Sequence, residues 1–488
     1  MAGTTASSAT VPVRTDRWLA LGVISTAQLM TALDATVVNI ALPSAQRALG
    51  FGDADRQWVV TAYTVCFAGL LLLGGRIADV VGRRRAFAAG VAGFAAASLL
   101  AGLAPNLPTL VAGRALQGAC AAVISPAALS LLAVTFTEPK QRARAFAVFG
   151  AVASSGAAAG LLLGGVLTEY LDWRWCLFVN VAIAGGVLIL GRRVLPDPPR
   201  FPGAGLDLTS AVLATGGLAG VVLGCGRAAG SGWSSVEVVL PLAGGAAALA
   251  AFVARQRLLA APLLPLRLLA SRNRVGAYLA AGTAVVGAFG MFLILTYYLQ
   301  VILHYSPIRA GLAVLPLTLA NVISGYQLGN RLLPHVRPRL LMAGGLLAAA
   351  GGLALLGTLH EHSTYAASVL PAELLVGVGM GALFPATFTI AIAGVSQRDT
   401  GVASALITTA TQVGSSLGTA VLNTVAVSAT AGYLAAHRPT PPTPALVHGY
   451  ATATGWSAVL LAGMAVLVAV LVTAPRPTNE DHPRPSTT

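Results

Sequence analysis

Hydropathy along this chain alternates in long blocks. Apolar stretches, each long enough to cross a hydrocarbon layer of about 30 Å as a helix of about 20 residues, are separated by short segments rich in Arg, Gly and Pro. Fourteen such runs can be counted, at 18–42, 57–77, 86–104, 107–134, 145–168, 176–195, 208–225, 236–254, 275–302, 310–332, 340–359, 366–395, 401–429 and 451–474. The pattern predicts an all-α polytopic membrane protein with 14 transmembrane helices. The polar first residues and the length of the first run predict an uncleaved span rather than a signal peptide.

Two linkers divide the runs. The segment 195–207 holds Pro196, Pro198, Pro199 and Pro202, and 255–274 is rich in Arg. They set runs seven and eight apart as a two-helix insertion between two six-helix bundles. The expected organisation is a cytoplasmic tail at 1–17, an N-terminal bundle at 18–195, a linker with the inserted hairpin at 196–254, a cytoplasmic linker at 255–274, a C-terminal bundle at 275–474 and a second tail at 475–488. Two bundles imply internal repetition. Aligning Pro126 with Pro385 sets Gly118 on Gly377, Ala122 on Gly381 and Arg114 on Glu373.

Composition agrees with the pattern: charged residues are 9% of the chain and its mean hydropathy is +0.78, whereas soluble proteins carry about 25% charged residues. The net charge of +14 changes the picture only through its distribution. Arg83, Arg84, Arg85, Lys140, Arg142, Arg144, Arg192, Arg193 and the arginines of 255–274 fall on the loops that share a side with the termini; Arg47, Arg56, Arg174, Arg227, Arg309 and Arg438 fall on the other. Because cytoplasmic loops collect Lys and Arg, both termini are expected on the cytoplasmic side. The positive charge is then explained by insertion topology and an anionic inner leaflet, not by nucleic acid.

No segment between runs could house a soluble catalytic domain, and the single lysine, Lys140, follows Pro139. A Walker A sequence ending in Gly-Lys is thereby excluded. An enzyme is not expected, nor a cofactor or metal, since the four cysteines lack ligand spacing. Active transport would draw on an ion gradient, the proton gradient being the expected one, or on a partner, and a monomer is expected.

Three charges interrupt the apolar runs. Asp34 lies about eight residues inside the first, roughly 12 Å deep at 1.5 Å per residue, and Arg114 and Glu373 sit at comparable depth. An Asp at a span centre costs about 2.5–3.5 kcal/mol to insert. Arg114, which cannot be neutralised, would offset that cost and compete for the carboxylate. Gln117 shares the Arg114 face at i+3. Proton coupling is the expected role of Asp34, Arg114 and Glu373, although Glu373 is also close enough to a span end to be hydrated. Substrate contacts are expected among Gln28, Asn39, Gln117, Tyr297, Tyr298, Gln300, Asn321, Gln412 and Asn423, each of which could instead serve as an interhelical hydrogen-bonding group.

Two glycine patterns remain. Gly75 to Arg85, with Asp79, Gly82 and Arg83, reads as a tight turn between two helices or as a basic topology-setting loop. Gly156, Gly160, Gly164 and Gly165 give run five a face for close packing.

Together, Leu33-Asp34, Thr36 to Pro43, Gly75 to Arg85, Arg114 with Gln117-Gly118, and Gly160 with Gly164-Gly165 resemble the signatures of the major facilitator superfamily. With fourteen runs the chain is most similar to the fourteen-helix drug:proton antiporters. The resemblance implies a two-bundle rocker-switch exporter of small organic molecules in the bacterial cytoplasmic (inner) membrane, driven by proton influx, with Asp34 and Arg114 in proton coupling. It also implies a conformational latch at Gly75, Asp79, Gly82 and Arg83, and an antiporter-motif helix at the run-five glycines. Where that motif usually has Gly-Pro, this chain has Gly160-Leu161. Proton-coupled uptake, or less readily a non-transporting membrane sensor, would use the same fold.

Overall fold

A computed structural model describes residues 17–53, 55–136, 138–196, 207–259, 262–332, 335–360, 363–393, 395, 400–437 and 442–473. The expected tails and most of the Pro-rich 196–206 linker lie outside the described residues. Among the described residues the regular structure is entirely helical, as it must be where no water can satisfy exposed backbone groups. Fourteen α-helices follow one another: α1 (Arg17–Leu49), α2 (Gln57–Val81), α3 (Arg83–Gly102), α4 (Leu107–Thr135), α5 (Pro139–Tyr170), α6 (Trp175–Val194), α7 (Leu208–Ser231), α8 (Val236–Leu258), α9 (Arg272–Tyr297), α10 (Pro307–Arg331), α11 (Pro338–Leu356), α12 (Leu370–Ile392), α13 (Thr400–Ala436) and α14 (Pro442–Leu471).

Among the described residues twelve spans are long and apolar enough to cross a membrane. The remaining helices, α2 and α5, show shorter apolar segments over their described residues, Gln57–Leu71 and Ala159–Tyr170. Helix α8 continues through Arg255 and Arg257 to Leu258, so the expected cytoplasmic linker begins inside a helix.

Local chemistry sets the ends. Asn106 caps α4, accepting from the Thr109 N–H at 3.0 Å, and Asp207 caps α7, accepting from the Ser210 N–H at 3.1 Å. Gly82, with φ 103°, is all that separates α2 from α3; the left-handed backbone favours a residue without Cβ. Single π-helical turns at Tyr298–Ile302 and Tyr365–Val369 re-aim the chain at one end of the C-terminal half.

Packing repeats. In the first half α1 lies against α5 and α6, α2 against α4, and α3 against α4 and α6; in the second α9 lies against α13 and α14, α10 against α12, and α11 against α12 and α14. The halves meet along two seams, α2 with α13 and α5 with α10. Helices α7 and α8 pair with each other, and α7 also rests on both α2 and α13. The alignment of Gly118 with Gly377 has a structural counterpart: a Cβ at Gly118 would stand 2.1 Å from the Tyr63 carbonyl oxygen of α2, and one at Gly377 2.4 Å from that of Leu317 in α10. Both positions require glycine because a backbone passes there.

Candidate functional site: a buried carboxylate and its donors

Helix α1 carries Asp34 on the face turned into the N-terminal half, where it is 0% exposed. A charge in that position persists only if it is paired. Arg114 of α4 supplies the pair, donating from Nη1 to Asp34 Oδ2 at 2.5 Å. Two amides complete the shell: Gln117 Nε2 donates to Asp34 Oδ1 at 2.9 Å, and Asn180 Nδ2 of α6 donates to the same oxygen at 2.7 Å.

The surrounding groups hold the donors in place. Arg114 Nε donates to the Val59 carbonyl at 3.1 Å, and its Nη1 also reaches Gln117 Oε1 at 2.9 Å. Gln117 Nε2 donates to Ser98 of α3 at 2.7 Å. The guanidinium lies over the Tyr63 ring, 4.6 Å from its centroid, a favourable placement for a desolvated cation. Five helices thus converge on one carboxylate. Asp34, Arg114 and Gln117 are brought together as expected, and Asn180, Ser98 and Tyr63, to which the sequence assigned no role, join them.

Glu373 stands elsewhere. It is 0% exposed in the first turn of α12, which removes the hydrated alternative. Among the described residues it has no bond to the Asp34 cluster. Its Oε2 accepts from Tyr365 at 3.3 Å, the same hydroxyl donates to the Ala313 carbonyl at 2.6 Å, and its Oε1 has no partner.

Several substrate-contact candidates prove to be ties between the halves. At the end where α1 gives way to α2, Arg56, one of the arginines counted on the outer loops, is 2% exposed. Its Nε donates to Asn423 Oδ1 of α13 at 2.8 Å, and its guanidinium lies 4.0 Å from the centroid of Tyr297. Asp53 approaches it at 3.6 Å. Asn423 in turn donates to the Asp53 carbonyl at 3.2 Å. Tyr297 donates to Gln46, and Gln300 donates to the Ile40 carbonyl at 3.0 Å. Tyr298 turns inward to the carbonyls of His360 and Ser363, each at 3.3 Å.

Other candidates differ in setting. Gln412 lines a cavity of about 230 Å³ with Val285, Phe384, Phe388, Ile407, Thr408 and Thr411. Asn39 donates to the Ala35 carbonyl of its own helix at 3.2 Å. Gln28 and Asn321 are half-buried.

The glycine motifs also find places. Gly156, Gly160 and Gly164 face α1, where a Cβ on Gly160 would lie 2.8 Å from the Leu33 carbonyl oxygen, and Gly165 faces Pro307 and Ile308 of α10. Leu161, unlike a proline, keeps its N–H, and α5 runs unbroken from Pro139 to Tyr170. Its carbonyl packs where a Cβ on Gly311 would be 2.5 Å away. At the α2–α3 turn Gly75 faces Pro126, Arg83 is half-buried, and Arg84 donates to the Arg192 carbonyl of α6. The Asp79 side chain lies outside the described residues. No group of three or more His, Cys, Asp or Glu able to hold a metal occurs among the described residues.

Two pseudo-equivalent helical halves, the first of them built around a buried ion pair, define a polytopic membrane carrier. The chain belongs to the Major Facilitator Superfamily, whose family model matches residues 24–419; it is a transporter and not an enzyme. It is 50% identical over 461 residues to the puromycin resistance protein pur8 of Streptomyces alboniger, covering 93% of this chain and 91% of the relative. It is 40% identical to the cephamycin export protein CmcT of Amycolatopsis lactamdurans, covering 94% and 93%. A solved inward-facing, unoccupied bacterial homolog of the human lysosomal transporter Spinster shares the fold, with a TM-score of 0.65 at 18% identity over 93% of this chain and 96% of that one.

Proposed function

We propose that this protein is a proton-driven antiporter that exports small organic molecules, antibiotics among them, across the bacterial cytoplasmic membrane. In this reading all fourteen helices cross the bilayer, both termini are cytoplasmic, and two six-helix bundles rock about the α2–α13 and α5–α10 seams. The observation that carries it is the Asp34 carboxylate, fully buried yet held by three donors. Burial opposes its charge and Arg114 favours it, so its proton occupancy responds to which side is open and to a substrate that disturbs the shell. Glu373, buried with one unpartnered oxygen, is a second candidate for carrying a proton.

The ties around Arg56 lie on the side assigned to the exterior, so in this reading the conformation is closed outward. The Gly75–Arg85 turn then belongs to the cytoplasmic latch that engages in the opposite state. The relatives support export, and puromycin is the first compound to assay. In inverted vesicles with an acid interior, the protein should accumulate substrate, and Asp34→Asn should abolish that accumulation while leaving substrate counterflow. Efflux from such vesicles would instead indicate uptake in the cell, and undiminished proton-driven accumulation by the Asn variant would remove Asp34 from the mechanism.

A further inference from the structure

The shell around Asp34 suits an ionised carboxylate. Every hydrogen-bond partner it has, Arg114 on Oδ2 and Gln117 and Asn180 on Oδ1, is a donor. Protonation would give Asp34 an O–H facing donors, and a buried O–H without an acceptor is disfavoured. Arg114 has no acceptor to offer. Gln117 could present its carbonyl only by losing its bonds to Arg114, Ser98 and Asp34 together.

Asn180 is placed differently. Its residue is 0% exposed, and among the described residues its Nδ2 donates to Asp34 alone and its buried Oδ1 has no partner. One amide therefore combines the donor used by the ionised acid with an idle acceptor.

We propose that Asn180 is the positioning residue that lets Asp34 change protonation state. When Asp34 takes up a proton, the Asn180 amide turns over and its Oδ1 accepts from the new Asp34 O–H; when the proton leaves, Nδ2 returns as donor. The terminal torsion of Asn is broad and roughly two-fold, so no backbone movement is needed, and only the bond to Asp34 is exchanged. The other titratable or charged groups acting on Asp34 are Arg114 of α4, Tyr63 of α2 and Cys176 of α6. Helix α5 faces this stretch of α1 with Gly156, Gly160 and Gly164, and the C-terminal half meets α1 farther along, at Ile40 and Gln46. The inference rests on the reading of Asp34 as the proton carrier.

The test uses the full-length protein with its asparagine side-chain carbonyls isotopically labelled, followed by infrared difference spectroscopy between acid and neutral pH. The expected spectrum contains an Asp34 carboxyl band, absent in Asp34→Asn, and an asparagine carbonyl band that moves with it and is absent in Asn180→Leu. In proteoliposomes Asn180→Leu should slow proton-driven transport by about tenfold or more, while counterflow, which needs no net protonation change, stays within about twofold. Asn180→Thr, whose hydroxyl can both donate and accept, should recover most of the driven rate. An Asp34 band with no accompanying asparagine band, or equal losses in driven transport and counterflow, would overturn the role of Asn180. Absence of the Asp34 band from the unmodified protein would overturn the proton-carrier reading itself.

Discussion

At the scale of single residues, the Asp34–Arg114 pair shows what a low-dielectric interior demands of a charge. Removing one partner leaves the other buried and uncompensated, which costs about 3–5 kcal/mol in buried pairs, whereas replacing both with apolar groups is often nearly neutral. Arg114→Leu should therefore lower the thermal midpoint of the purified protein more than Asp34→Leu/Arg114→Leu does; the reverse order would show that Arg114 is not needed to hold Asp34. Asp34, Arg114 and Gln117 were legible in the sequence because charge inside an apolar run is rare and i+3 spacing fixes a shared face. Asn180 and Ser98 were not, because a neutral amide or hydroxyl in a span has many uses, and its partner is chosen by tertiary packing. Nor was the separation of Glu373 from Asp34, since depth in the membrane does not say which bundle a side chain enters.

At the scale of elements, hydropathy located all fourteen helices because each is a continuous apolar block, but it missed their ends. The ends are polar and are fixed by caps, by Gly82, and by the π turns that follow α9 and precede α12. Loop position did not reveal the part played by Arg56. Its loop folds back between α13 and Tyr297, so a residue counted among the outer loop charges becomes the centre of a tie between bundles. Arg56→Gln removes the cation held over Tyr297 while leaving a neutral side chain of similar reach. In spin-label distance measurements between Asp55 and Ala436, it should enlarge the population with separated bundles several-fold, since a modest free-energy bias shifts a two-state equilibrium by that amount. Arg47→Gln, an exposed control bonded only within its own turn of α1, should not. Matching distance distributions in the two variants would deny Arg56 a part in holding the bundles together.

At the scale of the whole molecule, the inserted pair α7–α8 is anchored at its base by polar groups. Asp207 caps α7 and accepts from Arg255 Nη2 at 3.0 Å, and Gln256 bridges Ser210 at 2.7 Å and the Leu264 N–H at 3.1 Å. Desolvation opposes the Asp207 charge, but the Ser210 hydroxyl, the Arg255 guanidinium and the Ser210 N–H outweigh it and hold the carboxyl below its ordinary value of 3.8. A group whose value is lowered in the folded state stabilises that state above the ordinary value and loses the contribution as pH falls through the lowered one. Hydrogen exchange in the first turn of α7 should accordingly accelerate below pH 3.8 and become insensitive to that step in Asp207→Asn. Unchanged pH dependence in the variant would assign the effect to another group.

The placement of α7 also makes the two seams unlike. Along the α2–α13 seam, Val65, Val222 and Ala420 pack together, and Thr424 donates to the Cys225 carbonyl at 2.9 Å. Among the described residues no helix covers the α5–α10 seam in this way. A lipophilic compound dissolved in the bilayer thus meets an extra helix over one seam and only the two joined helices over the other, so the carrier presents unequal flanks to the lipid.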